Sequence, residues 1–164
     1  MKDAESFREK LLKVISSNPG LHFRELQRRT DSAVGQLEYH LYQLERGGKI
    51  VSRKDGRNLR YFHNESGTIS DRRIAFFMRN RIGKEILVKT LGEANGYVKV
   101  SNSEKYSSIV NQMADEGLIT VQIRGSQTYV SLKDRDALIS FLKKYSGSFL
   151  DSLASAMFNL MEES

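Results

Sequence analysis

Ser32 to Phe62 reads SAVGQLEYHLYQLERGGKIVSRKDGRNLRYF, and a change of period inside it decides the fold. The first half has helical spacing. Leu37, Leu41 and Leu44 recur at four and three and give one apolar flank. Ser32 suits an N-cap, because its hydroxyl accepts from an orphan N–H of the first turn. Gly47-Gly48 stops the helix. The period then becomes that of a strand. Lys49–Arg53 and Asn58–Phe62 are rich in β-branched and aromatic residues. Asp55-Gly56 lies between them, a strong hairpin signal because both residues tolerate the positive φ of a tight turn.

Upstream, Ser6 and Glu9 read as a capping box that opens a first helix. Phe7, Leu11, Leu12, Val14 and Ile15 form its apolar stripe, and Asn18-Pro19-Gly20 ends it. Phe23 to Thr30 reads as a short second helix with Phe23 and Leu26 inward, and Thr30-Asp31-Ser32 as the turn that follows. Three helices and a hairpin, in that order, predict a winged helix-turn-helix. A shorter version recurs. Leu44 to Ile50 aligns with Met113 to Ile119, placing Leu41 on Val110 and Leu37 on Tyr106, at an offset of 69. Asn18-Pro19-Gly20 aligns with Ala94-Asn95-Gly96 at an offset of 76. The second unit is therefore predicted to be about seven residues shorter, with the loss at its second helix. Its hairpin turns at Arg124 to Gln127, and Ser101 with Glu104 is the expected cap of its last helix.

The expected fold class is mainly α with small β-hairpins (α+β): two tandem winged units and a long C-terminal helix. The expected divisions are 1–67, 68–133 and 134–164. Ser66-Gly67-Thr68-Ile69-Ser70 reads as a linker, with Ser70 capping a joining helix from Asp71 to Leu91. From Asp134 to about Met161 apolar residues recur at three or four, and Gly147 is placed to kink or divide that run. Leu142, Tyr145, Phe149, Leu153, Met157 and Phe158 are its candidate dimerisation residues. The alternative folds this stripe back as core.

Composition narrows the function classes. An apolar fraction of 39% with regular spacing argues against disorder. Zero cysteines removes disulfides, zinc-thiolate sites and thiol catalysis. No secretory pattern follows Met1, and no apolar run approaches the roughly 20 residues that span a bilayer. The expectation is a soluble, cytoplasmic, nucleoid-associated protein. Residues 1–67 carry 13 basic and 9 acidic side chains, residues 68–133 carry 10 and 6, and residues 134–164 carry 3 and 5. The positive excess thus sits in the first two-thirds and attracts polyanions.

A third helix that enters the major groove needs hydrogen-bonding groups on its outward flank and a basic wing beside it. Ser32, Ala33, Gln36, Tyr39, His40 and Gln43 are the candidate reading residues. Gln36 has the chemistry to pair bidentately with adenine. Arg24, Arg28, Arg53, Lys54, Arg57, Asn58 and Arg60 are the candidates for the phosphate backbone and the wing. In the alternative readings His40 packs at the helix–wing junction, Tyr39 and Tyr42 join the core, and Arg24, Arg28 and Arg29 form a solvated face. Glu38 is awkward beside phosphates, and either accepts from cytosine or points away.

The stretches Asn18–Thr30, Gly35–Gly48 and Asp55–Phe62 together resemble archaeal winged helix-turn-helix transcriptional regulators. His40-Leu41-Tyr42-Gln43-Leu44 is similar, more distantly, to the His-Leu-x-x-Leu of ArsR-type repressors. The resemblance covers residues 7–63. It implies duplex DNA binding by the third helix and wing, and several archaeal members carry two such units in tandem. Metal sensing does not transfer, because there is no cysteine and His22, His40 and His63 lack ligand spacing. No phosphate loop, dinucleotide-type glycine motif or His-Glu-x-x-His is present, so no enzyme, metal or cofactor is expected. The leading expectation is a homodimeric sequence-specific regulator of double-stranded DNA. A low-specificity architectural protein and a protein-interaction module of the transcription machinery are the competing readings. No small-molecule effector is identifiable.

Overall fold

The computed structural model describes residues 2–93 and 96–163, with the backbone alone for 2–5. Two compact units divide the chain, Met1–Arg72 and Arg73–Ser164. The fold class is the expected one, mainly α with small antiparallel sheets.

Unit 1 runs α1 (Lys2–Ser17), β1 (Leu21–His22), α2 (Phe23–Thr30), α3 (Val34–Arg46), β2 (Ile50–Asp55) and β3 (Asn58–His63). Its sheet has the order β1-β3-β2, all antiparallel. The core joins Leu11 and Ile15 of α1, Leu26 of α2 and Leu37, Leu41 and Leu44 of α3 to Leu21, Ile50 and Tyr61 of the sheet. Burying each such leucine contributes about 1.5–3 kcal/mol, so the three on α3 fix which flank of that helix faces out. Ser6 lies inside α1, four residues past its start, so the expected capping box does not open that helix.

Unit 2 has a similar order of elements, with no counterpart of α2 among the described residues. It runs α5 (Arg81–Leu91), β4 (Val98–Val100), α6 (Glu104–Asp115), β5 (Ile119–Arg124) and β6 (Gln127–Leu132), with sheet order β4-β6-β5. At the offset of 69, Leu41, Leu44 and Ile50 fall on Val110, Met113 and Ile119, and all six are buried. Gly48 and Gly117 share a positive φ (71° and 76°), as do Gly56 and Gly125 (60° each), so the helix ends and hairpin turns coincide too. Leu21 pairs with Tyr61 and Val98 with Val130, which puts β1 and β4 at an offset of 77. The deficit is thus eight residues, the length of α2. The sequence alignment at Ala94-Asn95 falls outside the described residues. Ser103, not Ser101, is the N-cap residue of α6, and the Ser101 hydroxyl accepts from the Ser103 N–H instead.

The predicted joining helix is two helices. α4 (Ile69–Met78) spans the boundary between the units, and α5 starts after a break at Arg79-Asn80. The break is local chemistry. The Asn80 side chain caps α5 by accepting from the Gly83 N–H at 2.9 Å. A Cβ at Gly83 would lie 2.5 Å from the Phe77 carbonyl oxygen, so the turn closes only over glycine. At the start of α4 it is Thr68 and Asp71, not Ser70, that cap reciprocally, each side chain accepting the other's N–H at 3.0 Å. The tail divides into α7 (Arg135–Lys144) and α8 (Ser146–Glu163).

Candidate nucleic-acid interface

The outward flank of α3 follows from its buried one. With Leu37, Leu41 and Leu44 inside, Gln36, Glu38, Tyr39 and Tyr42 are exposed and Gln43 is half-exposed. Tyr39 and Tyr42 leave 57% and 59% of their surface to solvent, which sets aside the reading that made them core. Ala33, the residue before the helix, is exposed as well. The wing stands beside this helix in unit 1. Register pairs Arg53 with Arg60, Lys54 with Leu59 and Asp55 with Asn58. Lys54, Arg57 and Asn58 are exposed at its tip, and Arg53 is half-buried. Arg24 and Arg28 are exposed on α2, with Arg29 next to them.

Three candidates are not on this surface. His40 is 5% exposed, packed 4.9 Å from the Phe7 ring and edge-on to Tyr39 at 5.2 Å. Helical spacing puts it one step from Leu37 and Leu44, on the buried flank. Its Nδ1 has no hydrogen-bond partner. Burial, and then the neighbouring Arg8 guanidinium, hold its pKa below the ordinary imidazole value. Ser32 is buried and does not cap α3, whose N-cap residue is Ala33. Its hydroxyl instead bonds Thr30 Oγ1 at 2.8 Å, and that hydroxyl donates back to the Leu26 carbonyl at 2.7 Å. Ser32 therefore holds the turn between α2 and α3.

Arg60 is also 5% exposed. A cation directly opposite Arg53 would repel it across the ladder, but Arg60 turns inward. Its Nε donates to Asp55 Oδ2 at 2.7 Å and its Nη1 to the Gly20 carbonyl at 2.8 Å. The same Asp55 oxygen lies 3.6 Å from His22 Nε2, and the His22 N–H donates to Glu25 Oε1 at 3.4 Å. This chain of contacts ties the turn end of the wing to the start of α2. Asp55 announces itself in sequence only as a turn former. Its second task depends on Gly20 and His22, more than 30 positions upstream.

At the other end of the wing, His63 Nδ1 accepts the N–H groups of Glu65 and Ser66 at 3.1 and 3.0 Å. The three histidines therefore serve three separate local structures. Among the described residues no group of three or more His, Asp or Glu side chains is placed to hold a metal. No helix among them is long and apolar enough to cross a membrane.

The tail candidates divide. Tyr145 and Phe149 are buried in unit 2, where Phe141 packs 4.9 Å and 5.2 Å from their rings and the Arg79 guanidinium lies 3.9 Å over Phe149. They are core, not a surface for another molecule. Leu142 and Leu153 are half-buried. Met157 and Phe158 are exposed, together with Leu150 and Met161, which share their flank of α8.

A three-helix core, an outward polar flank on α3 and a cationic hairpin define unit 1 as a winged helix-turn-helix. Residues 5–74 match the model of a family described as an N-terminal HTH domain. That match supports a helix-turn-helix DNA-binding family for this stretch. No curated protein and no solved structure matches the chain.

Proposed function

We propose that this protein is a sequence-specific regulator of transcription that binds double-stranded DNA as a homodimer. One observation carries the reading: the polar flank of α3, from Ala33 to Gln43, is open to solvent in the unit that also carries the exposed Lys54 and Arg57. Gln36, Tyr39, Tyr42 and Gln43 read base edges from the major groove, and Ala33 has the apolar surface a thymine methyl prefers. Arg24, Arg28, Arg53, Lys54, Arg57 and Asn58 engage phosphates, which fixes register and supplies affinity. Glu38, exposed beside them, discriminates by accepting from a cytosine amino group.

The likeness to archaeal winged-helix regulators, and more distantly to ArsR-type repressors, supports this reading. So does the tandem plan of the two units. In this account residues 1–67 bind DNA, residues 68–133 are a joining helix pair and a scaffold, and residues 134–164 associate with a second copy. The exposed Leu150, Met157, Phe158 and Met161 support that last assignment.

Selection of bound duplexes from a random pool by the full chain tests the proposal. A recovered motif with two-fold symmetry, its halves about 34 Å apart, is the expected result. Recovery of unbiased sequences would replace it with the architectural reading, in which phosphate contacts dominate and binding falls steeply with salt. Recovery of nothing above background would favour the protein-interaction reading.

A further inference from the structure

Helices α5 and α8 of unit 2 line an open cleft of about 430 Å3. That volume lies within the range of small-molecule sites. Its walls carry both signs of charge. Arg81 and Lys84 come from the first turn of α5, while Glu162 and Glu163 come from the last turn of α8. Between them Asn159 offers an amide, and Ala156 and Leu160 supply apolar surface.

These opposite charges do not neutralise one another. Among the described residues none of Arg81, Lys84, Glu162 and Glu163 lies within ion-pairing distance of a partner. Lys84 Nζ is half-buried and donates to a neutral hydroxyl, Ser152 Oγ, at 2.7 Å. Burial, and then Arg79, lower its pKa, the mark of a cation short of counter-charge. The remaining carboxylate of the wall, Glu85, is already engaged. It accepts from the Tyr106 hydroxyl at 2.6 Å, and burial with that bond pushes the phenol up to about 12.

We infer that this cleft binds a small zwitterion of amino-acid type, its carboxylate toward Arg81 and Lys84 and its ammonium toward Glu162 and Glu163. A simple anion meets two carboxylates there, and a simple cation meets two cations. Only a ligand bearing both signs satisfies both walls. Its binding ties the last turn of α8 to α5, and α8 is the helix whose other flank is proposed to meet a second copy. That final link rests on the proposed function; the site itself does not.

The test uses the full chain and does not involve DNA, so failure of this inference and failure of the DNA-binding reading are separable. Each protein amino acid, at millimolar concentration, is titrated by calorimetry and by thermal shift. The expected result is saturable binding of at least one of them, with neither its decarboxylated amine nor its deaminated acid binding. Arg81→Gln and Glu163→Gln, both at solvent-exposed positions, should each weaken that binding by about tenfold while leaving the circular dichroism and unliganded Tm at parent values. The inference is overturned if no amino acid binds, if the deaminated acid binds as well as the parent zwitterion, or if both variants bind like the parent.

Discussion

His40 carries no charge-compensating contact: its Nδ1 is unpartnered and its ring lies between Phe7 and Tyr39. Burial and Arg8 hold its pKa below the ordinary value in the folded chain. The unfolded chain then binds the proton more readily, so stability rises with pH across this titration. The contribution is complete above the unfolded imidazole pKa of about 6.5 and is lost as pH falls through it toward the folded value. Thermal denaturation from pH 7.5 to 5 should show Tm falling in that window, and His40→Leu should flatten the fall. An unchanged pH slope in the variant would refute the assignment. Arg60 separates structure from recognition at the same scale. Its Nε and Nη1 donate to Asp55 and to the Gly20 carbonyl, inside the unit. Arg60→Gln should destabilise unit 1 by about 2 kcal/mol, the scale for hydrogen bonds to charged groups. Measured below its own Tm, the variant should keep the parent's affinity for a selected duplex. A loss of affinity without a loss of stability would return Arg60 to the DNA surface.

At the level of elements, the proposed function gives α3 and the wing separate tasks in binding. Gln36→Ala should cost about 1–3 kcal/mol on the preferred duplex and little on others, as loss of a bidentate base contact does. Lys54→Ala should weaken every duplex by a similar factor and lower the salt slope by about one unit, as loss of one phosphate contact does. Competition assays over a set of single-base variants distinguish the two patterns; an identical ranking of duplexes by the Gln36 variant and the parent would remove Gln36 from readout. These elements were legible in the sequence because their signals are local. The leucine period gave α3, Asp55-Gly56 gave the wing, and Gly47-Gly48 gave the stop between them. The misreadings came from contacts that local pattern does not carry. His40 looked outward because it adjoins Tyr39, yet it lies one helical step from Leu37. Ser32 has the chemistry of a cap, but Thr30 holds its hydroxyl. The apolar run from Ile74 to Ile86 hid the break at Asn80, because both sides of the turn are buried and hydrophobicity alone does not register a tight corner. Tyr42 was recoverable: Gln36, Tyr39 and Tyr42 follow at three, the spacing of one flank.

Across the whole molecule, two similar arrangements carry different surface chemistry. Unit 2 keeps the sheet order and the glycine-dependent turns of unit 1 but lacks the equivalent of α2. Its wing bears Ile123 and Ser126 where unit 1 has Lys54 and Arg57, so the proposal places the phosphate contacts in unit 1 alone. A single short helix in the major groove gives limited discrimination, since each good base contact is worth only a few kcal/mol. Doubling the contact through a second chain is the economical route to a longer site. The flank of α8 that bears Leu150, Met157, Phe158 and Met161 is where such an association would bury apolar surface now in water. Phe158 is 68% exposed, so replacing it leaves the core of unit 2 intact. Phe158→Asp should therefore leave Tm near the parent value while shifting sedimentation from dimer to monomer. The monomer should still bind a single half-site but lose the preference for two half-sites in symmetric arrangement. A variant that sediments as the parent would move the self-association surface off α8, and a parent that sediments as a monomer even on a two-site duplex would leave each chain to read DNA alone.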